Sequence, residues 1–459
     1  MIANLTKAPV EKVLATLMLP MTIGIFSVAL FHITNSFFVG KLGSNALAAM
    51  GFIFPVITVC TSIAMGISSG VLSVVARTIG EGDPGKVRRL STDALLLGLL
   101  LSVVMALIGN WSAPALFRFL GATPEVYTYI RPFITTWFAG LPLVVVPMIA
   151  NSIIRASGNT RFPSFMMCVA AAVNLCLSPL LVLGALGMPR LEMEGAALAN
   201  ILAHGTTMLW ALYNITVRKH FLTSTPPSFE ELRDSWFRFT RIGIAAAASS
   251  VIIPLMVAAI TRLMSDFGPQ AVAAYGVAGR IESFALLAMV ALSLSVGPFT
   301  GQNWGAKYRE RVWRGLWIAV GFCVFWGAAM VLLFHFYAPE IVHLFNTDPR
   351  IVKVALLYLA IVPIGYAGQG MMMNANGMLN ALAYPYPYHA TAITFARAFV
   401  LYLPLAALGK HWIGMEGIFY ASAGVNLVLG IASMLWVRHV LRNYRERPLP
   451  FSKRPLPLT

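Results

Sequence analysis

The two halves of this chain repeat one another, and both are apolar. The stretch Leu42-Gly43-Ser44-Asn45-Ala46-Leu47-Ala48-Ala49-Met50-Gly51 returns about 225 positions later as Phe267-Gly268-Pro269-Gln270-Ala271-Val272-Ala273-Ala274-Tyr275-Gly276. The same spacing carries Gly80 onto Gly305, Arg89 onto Arg314, Pro124 onto Pro349 and Asn151 onto Asn376, and Met193-Glu194-Gly195 returns as Met415-Glu416-Gly417. A nearly constant offset across a whole half is a duplication, and duplicated apolar halves point to a two-lobed membrane transporter.

A chain of 459 residues with 58% hydrophobic and 11% charged residues is too apolar for a soluble globule. No Asp, Glu, Lys or Arg occurs from Val13 to Gly40, more than the ~20 residues that cross a bilayer. Further apolar stretches predict twelve spans, near 13–38, 46–76, 91–113, 128–150, 163–185, 194–217, 237–262, 270–299, 314–337, 351–380, 388–408 and 414–437. The expected fold is therefore all-α, with twelve transmembrane helices in two six-helix lobes. Six spans per copy keep the same orientation, so the lobes are expected to be related by a pseudo-twofold along the membrane normal. The N-terminal lobe is placed at 1–220 and the C-terminal lobe with a basic tail at 238–459. A cytoplasmic linker at 221–237 is marked by Pro226-Pro227 and Glu230-Glu231.

The net charge of +16 records topology rather than nucleic-acid binding. With the N-terminus inside, Lys7, Lys12, Arg77, Lys86, Arg88, Arg89, Arg155 and Arg161 all lie on the cytoplasmic side. So do the basic residues of 218–241 and 307–314 and those of the tail from Arg438 to Arg454. Only Lys41, Arg118, Arg131, Arg190, Arg262, Arg350, Lys353 and Lys410 fall outside, and Arg280 and Arg397 lie within spans. This is the positive-inside pattern, with both termini in the cytoplasm. The first apolar segment is too long for a signal peptide and is expected to remain as the first span.

Cys60, Cys168, Cys176 and Cys323 fall in apolar spans with neither metal-ligand nor disulfide spacing, and read as buried structural thiols. Gly80-Glu81-Gly82 lacks the Gly-Lys-Ser/Thr ending of a phosphate loop, and no ATP-binding segment occurs, so active transport would draw on an ion gradient. Paired carboxylates, metal clusters and nucleophile constellations are absent from the spans. No enzyme activity, cofactor or metal is expected.

Polar residues inside spans are candidates for function because lipid cannot satisfy them. Asn35, between Thr34 and Ser36, reads as an ion-site residue or a helix-packing hydrogen bond. His32, one turn away, reads as a proton relay or a simple hydrogen-bonding residue. Arg280, Glu282 and Arg397 read as a structural charge pairing or as substrate contacts. The run Met371-Met372-Met373 suits a pocket for varied apolar shapes, with Met373 a candidate for the cleft. Pro20, fifteen residues before Asn35, is a candidate hinge. Tyr384, Tyr386 and Tyr388, interleaved with prolines, suggest an interfacial turn.

Asn35-Ser36-Phe37-Phe38-Val39-Gly40-Lys41-Leu42-Gly43 followed by Ala46-Leu47-Ala48-Ala49 resembles the end of the first span in multidrug and toxic compound extrusion (MATE) exporters. Arg155-Ala156-Ser157-Gly158-Asn159-Thr160-Arg161, Asn174-Leu175-Cys176-Leu177-Ser178-Pro179 and Glu194-Gly195-Ala196-Ala197 are similar to later segments of the family. The resemblance covers the whole chain and implies a bacterial inner-membrane exporter, monomeric, moving amphipathic and often cationic drugs outward in exchange for protons. Asn35 stands where the family has an aspartate that takes up the coupling ion. It closely mimics the protonated acid without titrating, either by natural loss or, the favoured reading, by engineered replacement. Ser178 stands where many relatives have a second aspartate, and Asn200 where they often have threonine. The resemblance thus implies an ion site of Asn35, Asn174, Ser178 and Asn200. Protonation at position 35 would repack the first span around Pro20 and expel the substrate, so the chain as written is expected to export poorly. Ile253 and Gln369 fall near the carboxylates of sodium-coupled members, and neither carries charge, which favours the proton-coupled branch. Gln369 remains a cleft candidate. The alternatives are a lipid-linked precursor flippase of the same superfamily and a non-transport membrane protein.

Overall fold

The computed structural model describes residues 5–382 and 386–443. Sixteen α-helices follow one another: α1 Val10–Gly40, α2 Ser44–Glu81, α3 Pro84–Phe119, α4 Pro124–Ala139, α5 Leu141–Ala156, α6 Arg161–Leu183, α7 Glu192–Tyr213, α8 Phe229–Ser265, α9 Pro269–Ala285, α10 Leu287–Gly305, α11 Arg309–His343, α12 Pro349–Ile361, α13 Tyr366–Ala381, α14 Tyr386–Phe395, α15 Leu403–Ile413 and α16 Met415–Arg442. Among the described residues nine helical spans are long and apolar enough to cross a membrane. The pairs α4–α5 and α9–α10, bent by 48° and 49°, bring the number to eleven. The twelfth expected span is α7, whose 22 residues suffice in length. Its hydropathy is lowered by Asn200, His204, Thr206 and Thr207.

The repeat is visible in the helix starts. Gly43 and Gly268 precede α2 and α9 with φ of 111° and 95°, a left-handed corner that glycine enters without Cβ strain. Thr123 and Asp348 cap α4 and α12 through their side chains, each followed by proline in the first turn. There the missing N–H costs nothing.

The described residues divide into two compact units, one within 19–247 and the other comprising 5–18 and those from 248 to 443. Both divisions fall inside long helices. In the first unit, Phe239 and Ile242 of α8 join a core built on α2–α7, with Ile53, Val71, Phe117, Ile134, Trp137 and Ile149. Helix α8 approaches α2 closely: a Cβ on Gly66 would lie 2.4 Å from the Gly243 carbonyl oxygen, and one on Gly70 2.3 Å from that of Phe239. This Gly-xxx-Gly face lets the two backbones touch. In the second unit, Leu5, Val10, Val13, Leu14 and Leu17 pack with Leu292, Val296, Phe299, Leu316 and Met378. Arg311 donates to the carbonyls of Leu5 and Ala8, and Arg314 pairs with Glu11.

The stretch 221–237 is helical from Phe229 onward. Ser228 and Glu231 form a reciprocal capping box, each backbone N–H donating to the other's side chain at 3.2 and 3.3 Å. The preceding residues are tied to α3 by Thr223 N donating to Thr92 Oγ1 (3.1 Å) and Arg89 donating to the Thr225 carbonyl (2.9 Å). Arg89 also pairs with the fully buried Asp93 at 3.1 Å.

Two expectations need correction. Tyr386 and Tyr388 open α14 rather than a turn, since proline is tolerated in a first helical turn. Tyr384 lies outside the described residues, as does the tail from residue 444. Of the four free cysteines only Cys323 is buried, while Cys176 is exposed, because an apolar side chain in a span can face outward at no cost.

Candidate functional site

In the first unit α1 and α6 run parallel. Ser164 Oγ donates to Met21 Sδ at 3.4 Å, Ser27 and Cys168 are 3.1 Å apart, and Phe31 packs on Ala171. Gly24 permits this approach, since a Cβ there would lie 2.9 Å from Met167 Sδ. Helix α7 is antiparallel to α6: the α6–α7 corner is closed by Leu191 N donating to the Leu181 carbonyl at 2.9 Å. Ala203 of α7 joins Phe31 and Ala171. One turn beyond this contact, on the same side, stand Asn35 on α1, Asn174 on α6 and Asn200 on α7, with Ser178 a further turn along α6.

Asn174 and Ser178 are buried, Asn35 and Asn200 partly so. Both amide atoms of Asn174, Ser178 Oγ and Asn35 Oδ1 are buried without a hydrogen-bond partner among the described residues. Such groups cost stability, so their concentration marks a place not optimised for folding. His32 is exposed, its ring edge-on to that of Phe31 with the centroids 5.9 Å apart. His204, which the sequence reading passed over, sits against the Phe31 ring at 5.5 Å. Its signal was available, as a histidine one turn from Asn200 in a span.

The second unit holds a connected polar network. Tyr358 Oη donates to Glu282 Oε2, and Gln369 lies beside the same carboxyl. Asn426 Nδ2 donates to Gln369 Oε1 at 3.2 Å, and Arg397 Nε donates to Asn426 Oδ1 at 2.8 Å. Five elements supply it: α9, α12, α13, α16 and a π-helical segment at Ala396–Tyr402. The π turn rotates the helix so that Arg397 and Tyr402 are both buried, the kind of bulge found at functional sites. The α9–α10 bend follows four residues after Glu282, and the Ala285 carbonyl it frees accepts from Trp326 Nε1 at 2.8 Å. Close helix contact registers the network: a Cβ on Gly368 would lie 2.1 Å from the Asn426 carbonyl oxygen.

The remaining candidates are dispersed. Gln369 belongs to this network. Met373 is half-buried, and its carbonyl accepts from Ser293 Oγ at 2.8 Å. Arg280 is exposed on α9. Pro20 lies inside the uninterrupted α1, two residues past the end of the segment 5–18 that packs with the second unit.

Two helical units, each with a polar cluster buried between apolar spans, define a multi-pass membrane transporter. The MatE family profile matches residues 20–180 and 245–408, and the chain belongs to that family. It is 34% identical over 429 residues to the FAD transporter of Shewanella oneidensis, covering 94% of each chain. It is 24% identical to the multidrug export protein MepA of Staphylococcus aureus, covering 95% of each. Among solved structures, a mutant of the Vibrio cholerae MATE transporter VcmN superposes with a TM-score of 0.89 at 29% identity, covering 94% of this chain and 97% of that one. The same transporter in its bent form gives 0.88 at 28% identity. Family members are transporters rather than enzymes.

Proposed function

We propose that this chain is a proton-coupled exporter of the bacterial inner membrane, moving amphipathic organic compounds outward as protons enter. It works as a monomer with both termini in the cytoplasm. The observation that carries the coupling is Glu282. Among the acidic residues of the described part of the chain it alone lies deep within a span and outside a salt bridge, held instead in a network with Tyr358, Gln369, Asn426 and Arg397. A carboxyl group can give and take a proton where the side-chain amide of Asn35 cannot. The cluster of Asn35, Asn174, Ser178 and Asn200 then serves as the fixed neutral counterpart in the first unit, with His32 and His204 beside it. Exporter relatives support outward transport of varied compounds, and the Shewanella protein adds flavin adenine dinucleotide to the substrates worth testing.

The test is substrate-driven proton movement in proteoliposomes under an imposed pH gradient, with sodium omitted. Coupled exchange should occur in the unmodified chain and disappear in Glu282→Gln while substrate binding persists. Asn35→Asp should add a second titratable group and alter the pH dependence of exchange. Unchanged coupling in Glu282→Gln would remove the proton from that carboxyl, and exchange restored only by Asn35→Asp would return it to α1. Movement that requires sodium instead would overturn proton coupling altogether.

A further inference from the structure

Arg280 has no hydrogen bond or ion pair among the described residues, and its side chain is exposed. It stands 11 residues after Pro269, the first residue of α9, about 17 Å along the helix at a rise of ~1.5 Å per residue. That is the middle of a hydrocarbon layer ~30 Å thick, too deep for the guanidinium to snorkel to a headgroup. A lipid-facing arginine at that depth is strongly disfavoured, so the face that bears it is wet.

The rest of that face agrees. The exposed positions of α9 alongside Arg280 are Ala273, Gly276 and Ser283, with one aromatic, Phe284, 36% exposed beside the bend, and a Cβ built on Gly276 meets nothing within 4 Å. A helix presented to lipid looks different, as α11 shows: its exposed residues include Trp317, Phe325, Leu332 and Phe336. Small and polar residues at this spacing leave room for a ligand beside the helix, and the guanidinium supplies its one charge.

The repeat shows that the fold does not need this charge. The offset that carries Gly51 onto Gly276 carries Pro55 onto Arg280 and Ile57 onto Glu282. Pro55 is likewise exposed, so the same place in the first unit is uncharged. Glu282 points into its own network, roughly 200° around the helix from Arg280, and does not neutralise it.

We infer that Arg280 is a recognition site for a phosphoryl group on the transported compound, making phosphorylated amphipaths a substrate class of this carrier. Guanidinium fits phosphate through paired N–H donors in a way ammonium does not. The inference rests on the exporter reading but not on proton coupling. The phosphoryl group can come from a soluble nucleotide-like compound or from a lipid-linked pyrophosphate.

Equilibrium binding by the full-length protein in detergent, without any gradient, tests it. The probes are riboflavin, flavin mononucleotide and flavin adenine dinucleotide, which share a ring system and differ in phosphate, with ethidium as a cation and farnesyl pyrophosphate as the lipid-linked form. Arg280→Gln should weaken the phosphorylated flavins about tenfold or more, as expected for a lost charge-assisted bond, and leave riboflavin and ethidium unchanged. Arg280→Lys should recover part of the loss. Equal loss for riboflavin, or no loss for the phosphorylated flavins, overturns the site. Arg280-dependent binding of farnesyl pyrophosphate alone keeps the phosphoryl site and assigns it to lipid-linked substrates. Ethidium binding without phosphorylated ligands overturns the inference but leaves the exporter, and binding of no probe removes both.

Discussion

Asn174 is fully buried in α6, yet neither its amide oxygen nor its amide nitrogen has a partner among the described residues. Replacing such a group by an apolar one of similar shape removes a desolvation cost of ~1–3 kcal/mol. Asn174→Leu should therefore raise the thermal unfolding midpoint in detergent while reducing transport. A lower midpoint would mean that the amide is structural. Asp266 behaves in the opposite sense. It accepts hydrogen bonds from Lys410 and then from Arg262, at 2.8 Å, and these hold its carboxyl below the usual carboxylate range. A lowered folded-state pKa stabilises above the unfolded value and loses that contribution as pH falls through the folded one. Asp266→Asn should melt earlier than the unmodified protein at neutral pH, and the gap should close under acid conditions. A gap independent of pH would exclude the ion pair as its source. At this scale the sequence displays which polar residues interrupt apolar spans, because their surroundings are uniform. It does not display their directions: Arg280 and Glu282 are two positions apart, and only helix packing places one in a network and the other outside.

Elements carry information that side chains alone do not. Gly365 and Gly368 of the Val362–Ala381 region meet Ala423, Asn426 and Gly430 of α16 almost backbone to backbone. This contact brings Gln369 and Asn426 to 3.2 Å. Gly368→Ala should cost ~1–3 kcal/mol by overpacking and should also impair proton coupling, because the helices must part where the network crosses them. Gly424→Ala, with nothing within 4 Å of its Cβ, serves as the control and should be neutral or stabilising by up to ~1 kcal/mol. If the two variants unfold alike, close packing at Gly368 is not the cause. The apolar runs made the spans legible, 194–217 among them, although α7 is more polar than the other spans. The π turn at Ala396–Tyr402 and the bend between α9 and α10 were not legible, since neither leaves a compositional mark.

For the whole molecule, the duplication made two lobes predictable, but it marks copies of sequence rather than units of packing. Residues 5–18, written in the first half, pack in the second unit; residues up to 247, written in the second half, pack in the first. Leu5, Val10, Val13, Leu14 and Leu17 are each at most 6% exposed, and Phe239 and Ile242 at most 5%, so both exchanges bury apolar surface. Burying a large apolar side chain is worth ~1.5–3 kcal/mol in water, and less where lipid is the alternative. Even discounted, several such residues in each direction should hold the halves together. Cutting the chain near residue 223, in the non-helical stretch before Phe229, therefore separates the two copies without cutting a core. Fragments 1–222 and 223–459 produced together should co-purify through a tag on either one. Leu14→Asp with Leu17→Asp should weaken that association by placing two charges in the cluster with Leu292 and Phe299. Fragments that assemble no better with intact apolar residues than with the aspartates would show that the exchanged segments do not join the halves.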